Sequence, residues 1–514
     1  MHLPDSAGQC SGTTQRAARP IALRAILLAA GCGFVYVLVA GGFRFEFGQT
    51  RYAHHVLMAD AMLHGQLHIR DEVLRPIIEK GRGEAEADLR KFQRETGKTI
   101  PPEQAEAEIR SWIIHRTLND WSSVDGRVYG YWAPLAPVLM MPLVAAFGVG
   151  VSDLLMNALF GGLNVGLFYW LLRRVDRAGL YGTSEPCRLA LTLLLGFGTV
   201  SFYLSSSGRV WFAAQVFTLT AVLAAMIAAC SPSNRRRDYL ASGICFGTAI
   251  LGRNVVALIG PFFLTLMWLR SAGIAGHRLR WFVRSAAAFC VPVMLAAGVQ
   301  GAYNHARFGD VFDSGQAALL HTHGDPRFLR DYEQHGQFDF HFLPRNLKHY
   351  FWNLNVPRLS DGRLWFDPDG NSMFLVTPPL VYALMAWRRR APFTSVLAAG
   401  AVPMLAGLLL FRATGYYQFG NRYLLEMMPL LLLLVAGGMG GRLSHVGYAL
   451  VVLAVAVNLY GTYQYCRPQF AAIDPWVGAL TLPVFVALAL LGRLVAVKVM
   501  SRWTGAVVSG DRAE

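Results

Sequence analysis

About a dozen apolar runs, each roughly 16 to 23 residues long and so matched to the hydrocarbon core of a bilayer, punctuate this chain. Only two of the polar stretches between them are long: Arg44 to about Trp132, and Asn304 to Gly370. Those two hold most of the histidines and acidic residues, whereas the remaining linkers are short and mostly basic. A backbone inside a bilayer must satisfy its polar groups within its own segment, so repeated runs of this length leave a helical bundle as the fold. Hydrophobic residues at 54%, charged ones at 15% and a mean hydropathy of +0.36 over 514 residues agree. The fold class is an all-α polytopic membrane protein, with about 12 transmembrane helices plus one re-entrant or half helix.

A formal charge of +15 would point to nucleic acid in a soluble chain, but here the arginines sit in short loops beside apolar runs. Topology accounts for them, and no nucleic-acid partner is implied. Taking the clusters at Arg16 to Arg24, Arg173 to Arg177, Arg235 to Arg237, Arg270 to Arg284, Arg388 to Arg390, and around Arg442 and Arg502 as cytoplasmic puts both long loops outside. The divisions that follow are a cytoplasmic tail (1–20), a first transmembrane helix (21–43), an outer loop (44–132), a bundle (133–303), a second outer loop (304–370), a further bundle (371–499) and a cytoplasmic tail (500–514). Parity allows one crossing between the first outer loop and Arg173, yet Ala133 to Gly148 and Ser152 to Leu172 are both apolar. The first is short and carries Pro134, Pro137 and Pro142, which makes it the half helix. A backbone broken at that depth needs protein or a water-filled cavity around it, so an outward-opening cavity is expected beside Pro134.

Within the first outer loop, Tyr52 to Ile69 predicts an interfacial helix whose polar face carries His54, His55, Asp60 and His64. Glu72 to Thr117 reads as a charged helical hairpin, interrupted at Gly81 and Gly83 and restarting at Pro101-Pro102. Seven scattered cysteines without a CxxC pair give no disulfide framework. His321 and His323, with His54-His55 and His335 to His349 on the same side, raise the question of a metal. Zinc sites show closer pairing with a third ligand nearby, so these histidines read as ordinary polar aromatics; no metal and no cofactor is assigned. Gly161, Gly162 and Gly166 read as a close helix contact.

Four constellations fall on the outer side: Arg44-Phe45-Glu46 with Gln49, Tyr52 and Asp60; Asn119 to Pro137, with Asp120 and Asp125; Tyr303-Asn304 with Arg307; and Tyr416 to Tyr423, with Gln418 and Arg422. Carboxylates, arginines and aromatics at one depth suit transfer of a sugar from a lipid phosphate. A carboxylate takes the acceptor's proton, an arginine fork holds the phosphate, and aromatic faces receive the ring. Glu46, Asp60 and Asp120 are the candidate bases, Arg422 and Arg307 the candidate phosphate contacts, and Tyr52, Tyr129, Tyr303, Asn304, Gln418 and Tyr423 the candidate substrate contacts. Each has a plainer reading: an interfacial ion pair for Glu46, a solvated helix face for Asp60, a turn cap for Asp120, snorkelling for Arg422 and a turn for Arg307. Asp125-Gly126 is a turn dipeptide.

The order of these elements also carries a resemblance. Tyr52, Asp60, Leu63 and Gly65, then Asp120, Ser122, Gly126 and Tyr129, then Pro134 and Pro137, Tyr303 to Gly309 (YNHARFG), and Gln418 to Tyr423 (QFGNRY) resemble bacterial GT-C fold glycosyltransferases over about residues 20 to 460. Among these the chain is similar to the protein mannosyltransferase and lipid A aminoarabinose transferase relatives. The resemblance implies a polyprenyl-phosphate sugar donor, an acceptor hydroxyl, inversion at the sugar, an acidic base in the first outer loop, and a site on the periplasmic or extracellular face of the bacterial plasma membrane. Where mannosyltransferases carry an Asp-Glu pair before the tyrosine, this chain has Gly48-Gln49. Two further classes remain open from the residues: a transporter or flippase of a lipid-linked or anionic solute, which requires ionisable groups in mid-span, and a non-catalytic assembly protein that docks through its outer loops.

Overall fold

The structure, a computed structural model, describes residues 10–466 apart from 51, 98, 114–119, 275, 324–325, 355–357, 361–362, 366–368 and 417. The apolar run at 476–498 and both chain ends therefore lie outside the described residues. Helix α1 (Cys10–Ala40) leads into α2 (His54–Leu63), a helical hairpin of α3 (Asp71–Thr96) and α4 (Pro102–Ile113), and a β-hairpin of β1 (Trp121–Val124) and β2 (Arg127–Gly130). Then follow α5 (Leu135–Phe147), α6 (Asp153–Arg177), α7 (Glu185–Phe197), the single turn α8 (Ser201–Ser205), α9 (Val210–Ala229), α10 (Arg236–Ile250), α11 (Gly260–Ser271) and the long α12 (Arg278–Phe308). The second long loop holds α13 (Gln316–His323), α14 (Pro326–His335), α15 (Leu343–Leu347) and the strands β3 (Arg358–Ser360) and β4 (Arg363–Trp365). Short turns α16 (Met373–Val376) and α17 (Val381–Met385) precede α18 (Pro392–Leu410), α19 (Met428–Met439) and α20 (His445–Tyr465). Tight 3-10 turns, Asn254–Ile259 and Arg422–Met427, extend α11 and α19 at their N-termini.

Among the described residues, eight helical stretches are long and apolar enough to cross a membrane, and the protein is an all-α polytopic membrane protein. Side chains such as Ile26, Leu295 and Val402 lie on its outside, more than half exposed; a lipid-facing surface calls for such residues. The helices alternate in direction, which sorts the loops to two ends. At the arginine-rich end, Arg24 Nη1 donates to Glu185 Oε1 (2.9 Å), Arg174 Nη1 to Ser231 Oγ (3.2 Å), and Arg270 to the Ala229 and Ser231 carbonyls. At the opposite end, where both long loops sit, His55 Nε2 meets the Val210 carbonyl (3.0 Å), Tyr203 donates to the Gly420 carbonyl (3.2 Å) and Tyr465 to that of Gln418 (2.6 Å).

Helix α5 begins and ends at this loop-bearing end. Its first amide donates to the Leu251 carbonyl (2.9 Å), and just past its last turn Gln49 Nε2 donates to the Val149 carbonyl (2.6 Å). At about 20 Å it is too short to cross. Close packing of α1 on α6 follows from glycine: a Cβ on Gly162 would lie 2.5 Å from the Gly33 Cα.

Three expectations are corrected. Helix α3 runs through Gly81 and Gly83 without a break, its ion pairs to α4 such as Arg82–Glu106 (2.5 Å) holding the hairpin together. Most of the polar face of α2 is not solvated: His54, His55 and Asp60 are buried, with His54 between the rings of Trp121 (5.0 Å) and Trp132 (4.9 Å), and His64 alone of the four stays exposed. The outer loops also contain strand, two short hairpins that the helical reading did not include.

Candidate functional site

The first hairpin positions the acid at the centre of the loop-bearing end. Asp125 (φ 49°) and Gly126 (φ 74°) form the two-residue turn, left-handed at both positions, that a tight hairpin needs. Trp121 pairs with Gly130, so Asp120 and Tyr131 stand one step beyond the last pair, side by side. The hairpin is locked by Trp121, fully buried, and by Ser122 Oγ donating to the Gly315 carbonyl of the second loop (2.9 Å). Asp120 itself has φ 62°, an uncommon backbone for a residue with a Cβ and one that aspartate tolerates better than most. Its Oδ2 accepts from Trp211 Nε1 at 2.6 Å. Burial pushes the carboxyl above the usual aspartate range, against the Trp211 N–H and the positive charge of Arg422, which act in the opposite sense. Tyr131, raised well above a normal phenol by burial, feels the charges of Asp120, Tyr423, Arg422 and Arg253 as well.

Opposite Asp120, the sequence YYQFGNRY turns into the bundle. Gln418, fully buried, shapes this turn: its Oε1 accepts from the Arg422 amide (3.2 Å) and its Nε2 donates to the Asp369 (3.0 Å) and Thr414 (2.9 Å) carbonyls. Gln215 Nε2 donates to the Arg422 carbonyl (2.8 Å). The Arg422 side chain, only 7% exposed, lies over the rings of Phe212 (5.5 Å) and Tyr423 (5.2 Å). Among the described residues its guanidinium donates no hydrogen bond, and its Nε is sealed from solvent without a partner. A guanidinium held this way is a cation awaiting an acceptor. On the other side of Tyr423, Arg253 (5.0 Å from the ring) pairs with the fully buried Glu426 at 2.5 Å, leaving Glu426 Oε2 without a partner among the described residues. Tyr350, also fully buried, adds to the same cluster a hydroxyl that has no partner among the described residues, and its phenol is pushed up by burial and by Tyr423.

The candidates from the sequence divide. Asp120, Arg422, Gln418 and Tyr423 come together; Tyr52 joins at one remove, its ring 5.0 Å from that of Trp211. Asp60 is engaged elsewhere: Arg70 holds both its oxygens (2.7 and 3.1 Å) and His64 lies 3.6 Å away. Glu46 is exposed beyond the end of α1, with no ion pair among the described residues. Arg307 is saturated by carbonyls, those of Gly130, Trp132 (3.3 Å) and Tyr303 (3.2 Å), and by Asn304 Oδ1 (3.1 Å), so it ties α12 to the loop after β2. Tyr303, under Arg307 at 3.7 Å, and Asn304, donating to the Val311 carbonyl (3.1 Å), belong to that tie. Tyr129 packs against His68 and Phe308.

Arg253, Glu426, Trp211, Tyr131 and Tyr350 are additions from the structure. Two had a legible signal. Glu426 is a carboxylate inside an otherwise apolar run, and Arg253 is a cation at the end of a span away from the basic clusters. Among the described residues, no group of three or more His, Cys, Asp and Glu side chains is placed to hold a metal. The side chains of His321 and His323 lie outside the described ones.

Fold and site together define a multi-pass membrane protein with two acids, two arginines and three tyrosines gathered where its long loops meet the bundle. Comparison with family models, with curated proteins and with solved structures finds no match for the chain.

Proposed function

We propose that this chain is a GT-C-like membrane glycosyltransferase of the bacterial plasma membrane, with about 12 crossings and cytoplasmic termini, that moves a sugar from a polyprenyl-phosphate donor to an acceptor hydroxyl on the outer face. Asp120 acts as general base. It takes the hydroxyl proton while the acceptor oxygen bonds to the anomeric carbon with inversion, and the bond from that carbon to the phosphate oxygen breaks toward Arg422. The polyprenyl tail stays in the bilayer.

One observation carries the reading: a carboxylate held above its usual range stands within the electrostatic field of a buried guanidinium that, among the described residues, has no hydrogen-bond acceptor. A raised carboxyl is the better base near neutral pH, and a desolvated arginine stabilises charge developing on a leaving phosphate. A transporter reading lacks comparable support. Every Asp and Glu of the eight described apolar stretches lies toward one of their ends, as Asp153, Asp176 and Glu426 do, and not at mid-span.

Transfer from polyprenyl-phosphate sugars in membranes tests the proposal. Asp120→Asn is expected to lower the rate about 10²- to 10⁴-fold, and Arg422→Ala to weaken donor binding, while Glu46→Gln and Asp60→Asn at matched expression keep activity near wild type. Full activity in Asp120→Asn, or no transfer by wild type from any donor, overturns it.

A further inference from the structure

Arg422 is not the last unanswered cation at this end. Arg412 lies just beyond α18, beside Phe411, whose ring packs on Tyr423 at 6.1 Å. Its guanidinium sits 6.0 Å from the Tyr332 ring and, among the described residues, donates no hydrogen bond and makes no ion pair within 4.0 Å; its Nε is buried without a partner. Arg345 stands at the rim next to it, one nitrogen donating to the Arg412 carbonyl and another to Asn346 Oδ1 (3.2 Å), with its head 5.1 Å over Phe342. Arg345 thus stands near enough to act on the Arg412 charge, and among the described residues neither makes an ion pair with a carboxylate. Asp331 acts on both and Asp369 on Arg345, but only at a distance. Burial and the neighbouring Arg345 push the Arg412 guanidinium below the usual arginine range, with Tyr423, Asp331 and Tyr332 opposing. A half-buried guanidinium beside a like charge favours an anion that completes it.

We propose that Arg412, with Arg345 at its rim, is a second phosphate-binding position beside Arg422, so that the occupied site holds two phosphate groups across Tyr423. Both belong to one polyprenyl diphosphate, or one belongs to the carrier and the other to a membrane-lipid headgroup. The inference rests on Arg422 as a phosphate contact and is independent of the transfer step.

The test is direct binding of polyprenyl monophosphate and polyprenyl diphosphate to the full chain in phosphatidylcholine nanodiscs. It is paired with measurement of phosphatidylglycerol retained on the protein purified from mixed lipid. A diphosphate preference of at least tenfold that Arg412→Gln erases, with monophosphate affinity kept and both ligands weakened by Arg422→Gln, supports the carrier as source. Equal affinities with phosphatidylglycerol retained by wild type and lost from Arg412→Gln support the headgroup. Absence of both the preference and the retention in wild type overturns the second position, and that outcome needs no variant to fold. Binding is read without transfer, so a wild type that shows the preference or the retention but transfers no sugar separates this inference from the catalytic one.

Discussion

Three acidic residues looked equivalent in the sequence, and their neighbours separate them. Asp60 is clasped by Arg70 through two hydrogen bonds, a bidentate pairing that fixes the carboxylate against Arg70. Glu46 is exposed beyond the end of α1 and makes no ion pair among the described residues. Asp120 alone faces an arginine across a partly desolvated space, on a backbone turn its neighbours impose. Trp211 then becomes a positioning residue, since its N–H favours the charged carboxylate. Trp211→Phe keeps the ring and removes the donor, so the Asp120 carboxyl should rise further. The base then stays protonated to a higher pH, and the acid limb of the kcat/KM profile is expected to move up by about one pH unit. An unmoved limb would remove Trp211, and with it Asp120, from the proton transfer.

At the scale of elements, glycines decide which helices lie close. A Cβ at Gly162 would meet the Gly33 Cα at 2.5 Å and the Ala29 carbonyl at 2.7 Å, both backbone atoms that yield only if α1 and α6 separate. Gly162→Val is therefore expected to cost about 1–3 kcal/mol, seen as earlier thermal aggregation of the solubilised protein. Gly31→Val, where nothing lies within 4 Å, is the control expected to be near neutral. The glycine pattern announced this contact, because small residues in an apolar run have little other use. The β-hairpin was less legible. Asp125-Gly126 marked its turn, but four-residue strands carry too little alternation to stand out beside helical runs. Helix α2 misled for a related reason: its histidines looked like a wet face, yet imidazole stacks as well as it hydrates, and tertiary contacts buried it.

For the whole molecule, the two ends differ in kind, one rich in arginine and short loops, the other carrying both long loops and the acid–arginine cluster. If the long loops face outward, single cysteines at exposed Glu46 and Phe92 should react with an impermeant maleimide in intact cells. One at Arg388, exposed at the other end, should react only after lysis. The reverse pattern would invert the topology and place the site in the cytoplasm. The membrane class was readable from the sequence alone, because hydropathy over a bilayer's thickness is a local property of consecutive residues. The working cluster was not, because its partners are brought together by folding: Trp211 reaches back 91 positions to Asp120, and Arg253 pairs with Glu426 across 173. No spacing rule links residues so far apart, so only the packed helices could decide which carboxylate meets which cation.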